Sequence, residues 1–163
     1  MTGRQGIVRA NVTLTIIFAV TAAYAAVDFS TAAQWIGAAT AMTLFTVGVV
    51  AFLWSYWSAV QRSRERELAV SQLYLLLGAA IPSGVRRTML LALVGQFAIA
   101  LGTTLARPNG PDGNPGSSLA VGFLVPMLGF GLNGLWAVNH GRFAERIEVP
   151  ATKPKIGHND VHG

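Results

Sequence analysis

Four long apolar segments, none of which contains an acidic residue, constrain the fold of this chain more than any other feature. They cover approximately residues 7–27, 33–60, 85–106 and 118–140. A helix needs about 20 mostly apolar residues to cross a bilayer. Backbone N–H and C=O groups inside the hydrocarbon must be hydrogen-bonded within the protein, which favours helices. The pattern therefore predicts an all-α integral membrane four-helix bundle.

The composition and the position of the charges agree with a membrane location. Charged residues make up 12% of the chain, whereas they make up about a quarter of a typical soluble domain. The chain has no cysteine, so disulfides, thiolate metal sites and a cysteine nucleophile are excluded. The pI near 10.5 does not indicate nucleic-acid binding. The basic residues lie just outside the apolar segments, where they suit anionic lipid headgroups.

The distribution of basic residues predicts an orientation. Eleven of the twelve Lys and Arg residues fall on one side of the predicted bundle, and only Arg107 falls on the other. By the positive-inside rule, both termini and the central connection are expected on the cytoplasmic side of a bacterial plasma membrane. Membrane lipids are therefore expected partners. The arginines expected at the lipid headgroups are Arg62, Arg64, Arg86, Arg87 and Arg142.

The N-terminal segment has a second interpretation. Arg4 and Arg9 precede an apolar run that passes through residues 23–25 (Ala-Tyr-Ala). This is also the pattern of a secretory signal peptide with its small-residue cleavage site. Cleavage there would leave three spans and an external N-terminus. The apolar run continues to Val27, which favours a first helix that is retained.

Local signals predict where the spans begin and bend. Residues 31–34 (Thr-Ala-Ala-Gln) fit a capping box at the start of the second span. Pro126 is expected to kink the fourth span. Residues 107–117 contain three prolines and three glycines, which predicts an irregular loop.

The connection between the second and third spans contains one unusual segment. Residues 67–81 are too short to cross a bilayer and too apolar for an exposed loop. They predict a cytoplasmic helix that lies in the membrane interface or packs under the bundle. Its predicted apolar stripe consists of Val70, Leu73, Tyr74, Leu77 and Ile81. The predicted transmembrane domain is residues 1–148, and the tail 149–163 is expected to be disordered.

Polar and small residues inside the spans are the candidates for interhelical contacts. Gln96 and Asn133 lie near the middles of the third and fourth spans. An amide at that depth is best satisfied by a neighbouring helix, and a ligand is the alternative partner. Small residues allow helices to approach closely, within the bundle or against another protein. The residues expected in helix packing or partner docking are Ala19, Ala23, Gly122, Gly129, Gly131 and Gly134.

The residues that usually carry chemistry are missing from the spans. Proton-coupled transporters depend on ionisable residues inside the membrane, and the four spans contain none at depth. The hydropathy profile resembles that of the small multidrug-resistance exporters, which use a glutamate in their first helix. The matching stretch here, residues 12–27, has no acid. No catalytic or metal-binding motif is present, so neither enzymatic activity nor a cofactor is expected.

Several features together resemble small four-helix membrane proteins of actinobacteria. These are the alanine- and glycine-rich helices, the arginine-lined boundaries and the run SRERE that closely follows residues 54–57 (WSYW). That group includes an accessory subunit of the mycobacterial Mce lipid importer. The resemblance covers residues 7–147 and implies a non-catalytic accessory or stabilising subunit of a larger membrane complex, one that moves lipids or envelope precursors. Other membrane-protein subunits are then expected partners.

A different class of function stays open beside the accessory subunit. The chain could be an independent small transporter that acts as a dimer, because four helices enclose little room for a pathway. Gln96, Asn133 and Tyr24 would then line the route.

Overall fold

The computed structural model describes residues 2–62, 70–77, 81–113 and 116–143. Within these ranges the chain forms the helices α1 (Thr2–Asp28), α2 (Thr31–Arg62), α3 (Val70–Tyr74), α4 (Ser83–Ala106) and α5 (Pro126–His140). A 3₁₀ segment, Ser118–Leu124, precedes α5. The predicted tail 149–163, the domain boundary at 148 and Arg64 lie outside the described residues.

The predicted helical membrane protein with four spans is confirmed. Among the described residues, four helical stretches are long and apolar enough to cross a bilayer: Gly3–Asp28, Thr31–Arg62, Ser83–Ala106 and Ser118–His140. α1 begins before the apolar run that predicted it, because the polar residues around Arg4 also adopt helical geometry. The chain is therefore a multi-pass membrane protein.

α1 and α2 are joined by a turn of only two residues. Phe29 adopts a positive φ of 50°, which reverses the chain direction. The Ser30 hydroxyl then accepts a hydrogen bond from the Ala33 N–H at 3.2 Å and donates one to the Asp28 carboxylate. The cap of α2 is therefore Ser30, and its prediction at Thr31 is wrong by one residue. So short a turn makes α1 and α2 antiparallel neighbours.

The fourth span is built from two pieces. Pro126 occupies the first turn of α5, where its missing N–H has no acceptor to satisfy. Ahead of it the chain forms the 3₁₀ turns of Ser118–Leu124, which end with the Val125 N–H bonded to the Gly122 carbonyl at 3.0 Å. The fourth span therefore changes from a 3₁₀ helix to an α-helix at Pro126, in place of the expected kink in one continuous helix. The reason is that a proline ring clashes with a preceding α-helical turn.

α5 is the central element of the bundle. It packs against α1, α2, α3 and α4. In the fourth span 67% of the residues in the most apolar stretch are buried, compared with 22% to 28% in the other three spans. The other spans therefore surround α5 and present most of their own apolar surface to the exterior.

Glycine allows α5 to approach α2 at backbone distance. A methyl group built on Gly131 would lie closer than 3.0 Å to the Gly48 carbonyl oxygen, and one built on Gly48 would lie 2.6 Å from the Leu128 Cα. Neither contact leaves room for a side chain. In hydrocarbon no hydrophobic effect drives helices together, so close packing of this kind is a main source of helix association.

The bundle has two chemically different ends. The basic end contains Arg4 and Arg9 of α1, Arg62 of α2 and the start of α4. The loop end contains the α1–α2 turn and, of the loop after α4, residues 107–113 and 116–118. The Arg107 Nε at the end of α4 donates to the Ala26 carbonyl near the end of α1 at 3.0 Å, so these two neighbouring helices run parallel from the basic end to the loop end.

Residues 70–77, the described part of the segment between α2 and α4 that includes a helix, pack against the basic half of the bundle. That helix, α3, ends at Tyr74 and is shorter than predicted, because Leu76 adopts a positive φ of 54°. The Tyr74 ring stacks on Phe52 with centroids 4.5 Å apart. Among the predicted stripe residues Leu73, Tyr74 and Ile81 are buried, whereas Val70 and Leu77 are exposed. Leu76, outside that stripe, is fully buried.

We predict that Gly131→Ala destabilises the bundle by about 1–3 kcal/mol, because the added methyl group must displace the backbone of α2. Gly102→Ala is the matched control, since a methyl group at Gly102 meets nothing within 4 Å. The control should be neutral or more stable by about 0.5–1 kcal/mol, the usual gain for replacing glycine in a helix. Thermal unfolding in detergent measures both variants. Equal melting temperatures would contradict the backbone contact.

Candidate functional site

Asn11, Thr15 and Gln96 form a polar cluster inside the described bundle, here called the amide cluster. Gln96 of α4 donates from Nε2 to the Thr15 hydroxyl at 2.8 Å and to the Asn11 Oδ1 at 3.3 Å, both on α1. The Asn11 and Gln96 side chains have no solvent exposure. The parallel neighbours α1 and α4 bring the three residues to one depth in the bundle.

Hydrogen bonds within the amide cluster form a short chain. The Thr15 hydroxyl accepts from Gln96 and donates in turn to the Asn11 backbone carbonyl at 2.8 Å. The Asn11 Nδ2 and the Gln96 Oε1 have no hydrogen-bond partner among the described residues. Gly129 of α5 covers the cluster, since a methyl group at that position would lie 2.8 Å from the Gln96 Oε1. All three groups are neutral, so the cluster holds helices together and supplies no acid or base.

Asn11 was missed in the sequence analysis. It lies two residues from Arg9, so the sequence places it at the polar boundary of the first span. Its four-residue spacing to Thr15 places both side chains on one helical face. That spacing is the signal that could have identified it.

The second buried amide, Asn133, connects α5 to α3. Its Nδ2 donates to the Tyr74 backbone carbonyl at 2.9 Å. Gly134 lies beside this contact, because a methyl group there would approach the Ser55 Oγ and the Tyr74 ring within 3.0 Å. Burial raises the pKa of the Tyr74 phenol, so its hydroxyl stays protonated at physiological pH. The contact holds the central connection against the bundle.

The residues considered for a transport route have different surroundings. Gln96 lies in the amide cluster, and Asn133 bonds to the backbone of α3. Tyr24 lies farther along α1 with its side chain 48% exposed.

The small residues divide between the interior and the exterior. Gly122, Gly129, Gly131 and Gly134 are buried, and a methyl group at Gly122 would meet the Phe18 ring at 3.2 Å. All four glycines therefore pack within the bundle. On α1 Ala19 is half-buried and Ala23 is exposed.

Arginines at the basic end bond to the protein as well as facing outward. The Arg62 Nη1 donates to the Val138 carbonyl in the last turn of α5 at 2.6 Å, where a cation also complements the helix dipole. The backbone carbonyl of Arg4 accepts a hydrogen bond from the Trp136 Nε1 at 3.1 Å. The guanidinium of Arg4 lies over the Trp136 ring, 5.4 Å from its centroid. Arg87 and Arg142 are exposed and Arg86 is half-buried.

A groove of about 500 Å³ opens between α1 and α4 at the basic end. Arg4 and Arg9 line it together with Val8 and Val85. Cationic groups beside an apolar floor fit the junction of a lipid headgroup and its acyl chain. Across the described residues no three His, Asp or Glu side chains come close enough to hold a metal ion.

Comparisons with protein-family profiles, with curated proteins and with solved structures find no match to this chain. The resemblance to small actinobacterial membrane proteins therefore stays a prediction.

We predict that Gln96→Leu destabilises the bundle by about 0.5–1.5 kcal/mol, because Asn11 and Thr15 lose their shared donor. A double-mutant cycle with Thr15→Val should give a coupling energy of about 0.6 kcal/mol. Thr46→Val is the matched control. It removes a hydroxyl that bonds only to the Met42 carbonyl of its own helix, so its coupling to Gln96→Leu should be close to zero. Indistinguishable coupling energies for the two threonines would contradict the interhelical bond.

Proposed function

We propose that this protein is a non-catalytic accessory subunit that stabilises a larger membrane complex, one that moves lipids or envelope precursors. The observation that carries the proposal is the close packing of α5 at the centre of the described bundle. α5 fills the centre, and its glycines bring it to backbone distance from α2. The buried amides bond to neighbouring helices. In such a bundle, close contacts between helices occupy the place where a transporter needs a route.

The exterior of the bundle supports the same proposal. α2 carries several large exposed side chains, among them Trp54 and Trp57, which are 66% and 65% exposed. An apolar groove of about 480 Å³ runs between α2 and α5, with Val50, Trp54 and Leu132 among its walls. Such surfaces must be covered by lipid or by another protein in the membrane. They give the subunit a large area for contacts without catalytic groups.

The proposed substrate class and the proposed orientation rest on the sequence. Resemblance to small actinobacterial membrane proteins, including an accessory subunit of the Mce lipid importer, supports a complex that handles lipids. The concentration of arginine at one end supports a basic end in the cytoplasm of a bacterial cell and a loop end outside it.

We predict that the tagged protein, extracted from its native membrane in mild detergent, co-purifies with other membrane subunits in constant proportion. Mass spectrometry of the purified material measures this. Gly131→Ala should lower the recovery of these subunits, because docking needs the intact bundle, whereas Gly102→Ala should leave it unchanged. A protein that runs alone at monomer mass would count heavily against the proposal.

Self-association of the protein would favour the alternative function, an independent small transporter that acts as a dimer. If the extracted protein runs as a dimer of itself and moves a solute in vesicles, it is an independent transporter. Loss of that movement in Gln96→Leu, at unchanged protein level, would strengthen this outcome.

We predict that a cysteine placed at Asn109 reacts with a membrane-impermeant maleimide on intact cells. A cysteine at Gln61 should react only after the membrane is permeabilised. Both positions are exposed, at the loop end and the basic end respectively. The chain has no cysteine of its own, so the unmodified protein is the blank. The reverse labelling pattern would place the basic end outside.

A further inference from the structure

The groove between α1 and α4, here called the basic groove, combines two accessible cations with an apolar floor. Arg4 and Arg9 line it, and both side chains are exposed. Val8 and Val85 belong to its floor and pack against the core. No Asp or Glu is found among the described residues that line it. Cations without a carboxylate beside them favour an anionic ligand.

The basic groove crosses the level at which the apolar part of α1 begins. Arg4 precedes that point at Ile7, and Arg9 follows it. Five residues of helix separate the two arginines by about 7.5 Å along the axis. Helical side chains lean toward the N-terminus of their helix, which for α1 is the basic end. The Arg9 stem can therefore lie along the apolar floor while its guanidinium reaches back toward the headgroups.

Arg4 is held at the groove by contacts within the protein. Its backbone carbonyl accepts a hydrogen bond from the Trp136 Nε1, and its guanidinium lies over the ring of the same residue. Trp136 is fully buried, so it provides a fixed support. A cation–π contact does not consume the N–H donors of the guanidinium. The cation is thus positioned before a ligand arrives, which lowers the entropy cost of binding.

The combination of cations and apolar floor separates the candidate ligands. A zwitterionic headgroup brings an ammonium group, and no described carboxylate lines the groove to accept it. A soluble anion would use the arginines but leave the apolar floor uncovered. An acidic peptide would place backbone N–H and C=O groups against that floor, where they lack hydrogen-bond partners. An anionic phospholipid has an acyl chain for the floor and a phosphate for the arginines.

We propose that the basic groove is a specific binding site for one anionic phospholipid. The phosphate accepts hydrogen bonds from the guanidinium groups of Arg4 and Arg9, and an acyl chain lies on Val8 and Val85. Arg87, exposed near the start of α4, does not line the groove. It adds to the general attraction of the basic end for anionic lipid without forming part of this site. The site is independent of the proposed accessory role.

The test uses the full chain in dodecyl maltoside, with bound lipids counted by native mass spectrometry. Phosphatidylglycerol and phosphatidylcholine are titrated separately. The first phosphatidylglycerol should bind saturably and about ten-fold more tightly than the first phosphatidylcholine. Glycerol 3-phosphate and a hexaglutamate peptide, each at the concentration of the lipid, should not displace it. Equal affinities for the two lipids would overturn the proposal, as would displacement by either soluble competitor.

Matched arginine variants distinguish a site from diffuse attraction. Arg9→Gln and Arg87→Gln each remove one exposed cation at the basic end, and of the two only Arg9 lines the groove. Arg9→Gln should weaken binding of the first phosphatidylglycerol about five-fold, whereas Arg87→Gln should change it less than about two-fold. Arg9→Lys keeps the charge and should retain most of the affinity. Melting temperatures check that the variants are folded. Equal losses in the two glutamine variants would refute the site.

Discussion

The backbone contact between α2 and α5 is the constraint on which the rest of the bundle depends. At Gly48 and Gly131 the two helices meet without side chains between them. Lipid tails are as apolar as leucine, so helices in a membrane gain little from burying apolar surface and much from close packing. A helix held this closely to α2 can also contact α1, α3 and α4. The central position of α5 follows from that approach.

Close packing determines how the buried amides are used. With α5 in the centre, Gln96 faces α1 and is covered by Gly129, so its donor meets Thr15 and Asn11. Asn133 on α5 meets the backbone of α3 instead of another long helix. Both amides join elements of the bundle. Each amide donates through its nitrogen, whereas the Gln96 Oε1 and the Asn133 Oδ1 have no hydrogen-bond partner among the described residues.

The prediction of individual elements succeeded where residue type alone decides the outcome. The four spans follow from apolar length, and Pro126 marked the point where the fourth span changes. The stripe proposed for residues 67–81 was less successful, because it assumed an unbroken helix. α3 ends at Tyr74, and the positive φ of Leu76 turns that side chain inward while Leu77 stays exposed. A local backbone reversal of this kind has no reliable sign in the side-chain pattern.

Gln34, at the loop end, is a second residue whose structural role the sequence pattern does not reveal. In the sequence it belongs to a capping motif, but the cap of α2 is Ser30. That shift of one residue leaves the Gln34 side chain to bond with Ser118, 84 positions along the chain. Only the packing of the 3₁₀ segment against α2 brings residues so distant in sequence into contact.

The sequence by itself determined that this chain is a multi-pass helical membrane protein with a strongly basic end. Those properties depend on the composition of each segment, which is independent of how the segments pack. The tertiary structure alone decided which helix lies in the centre, which partners the buried amides find and where a groove opens. The spans are apolar around most of their circumference, so periodicity does not identify the inward face. That face is set by glycine contacts and by hydrogen bonds between helices.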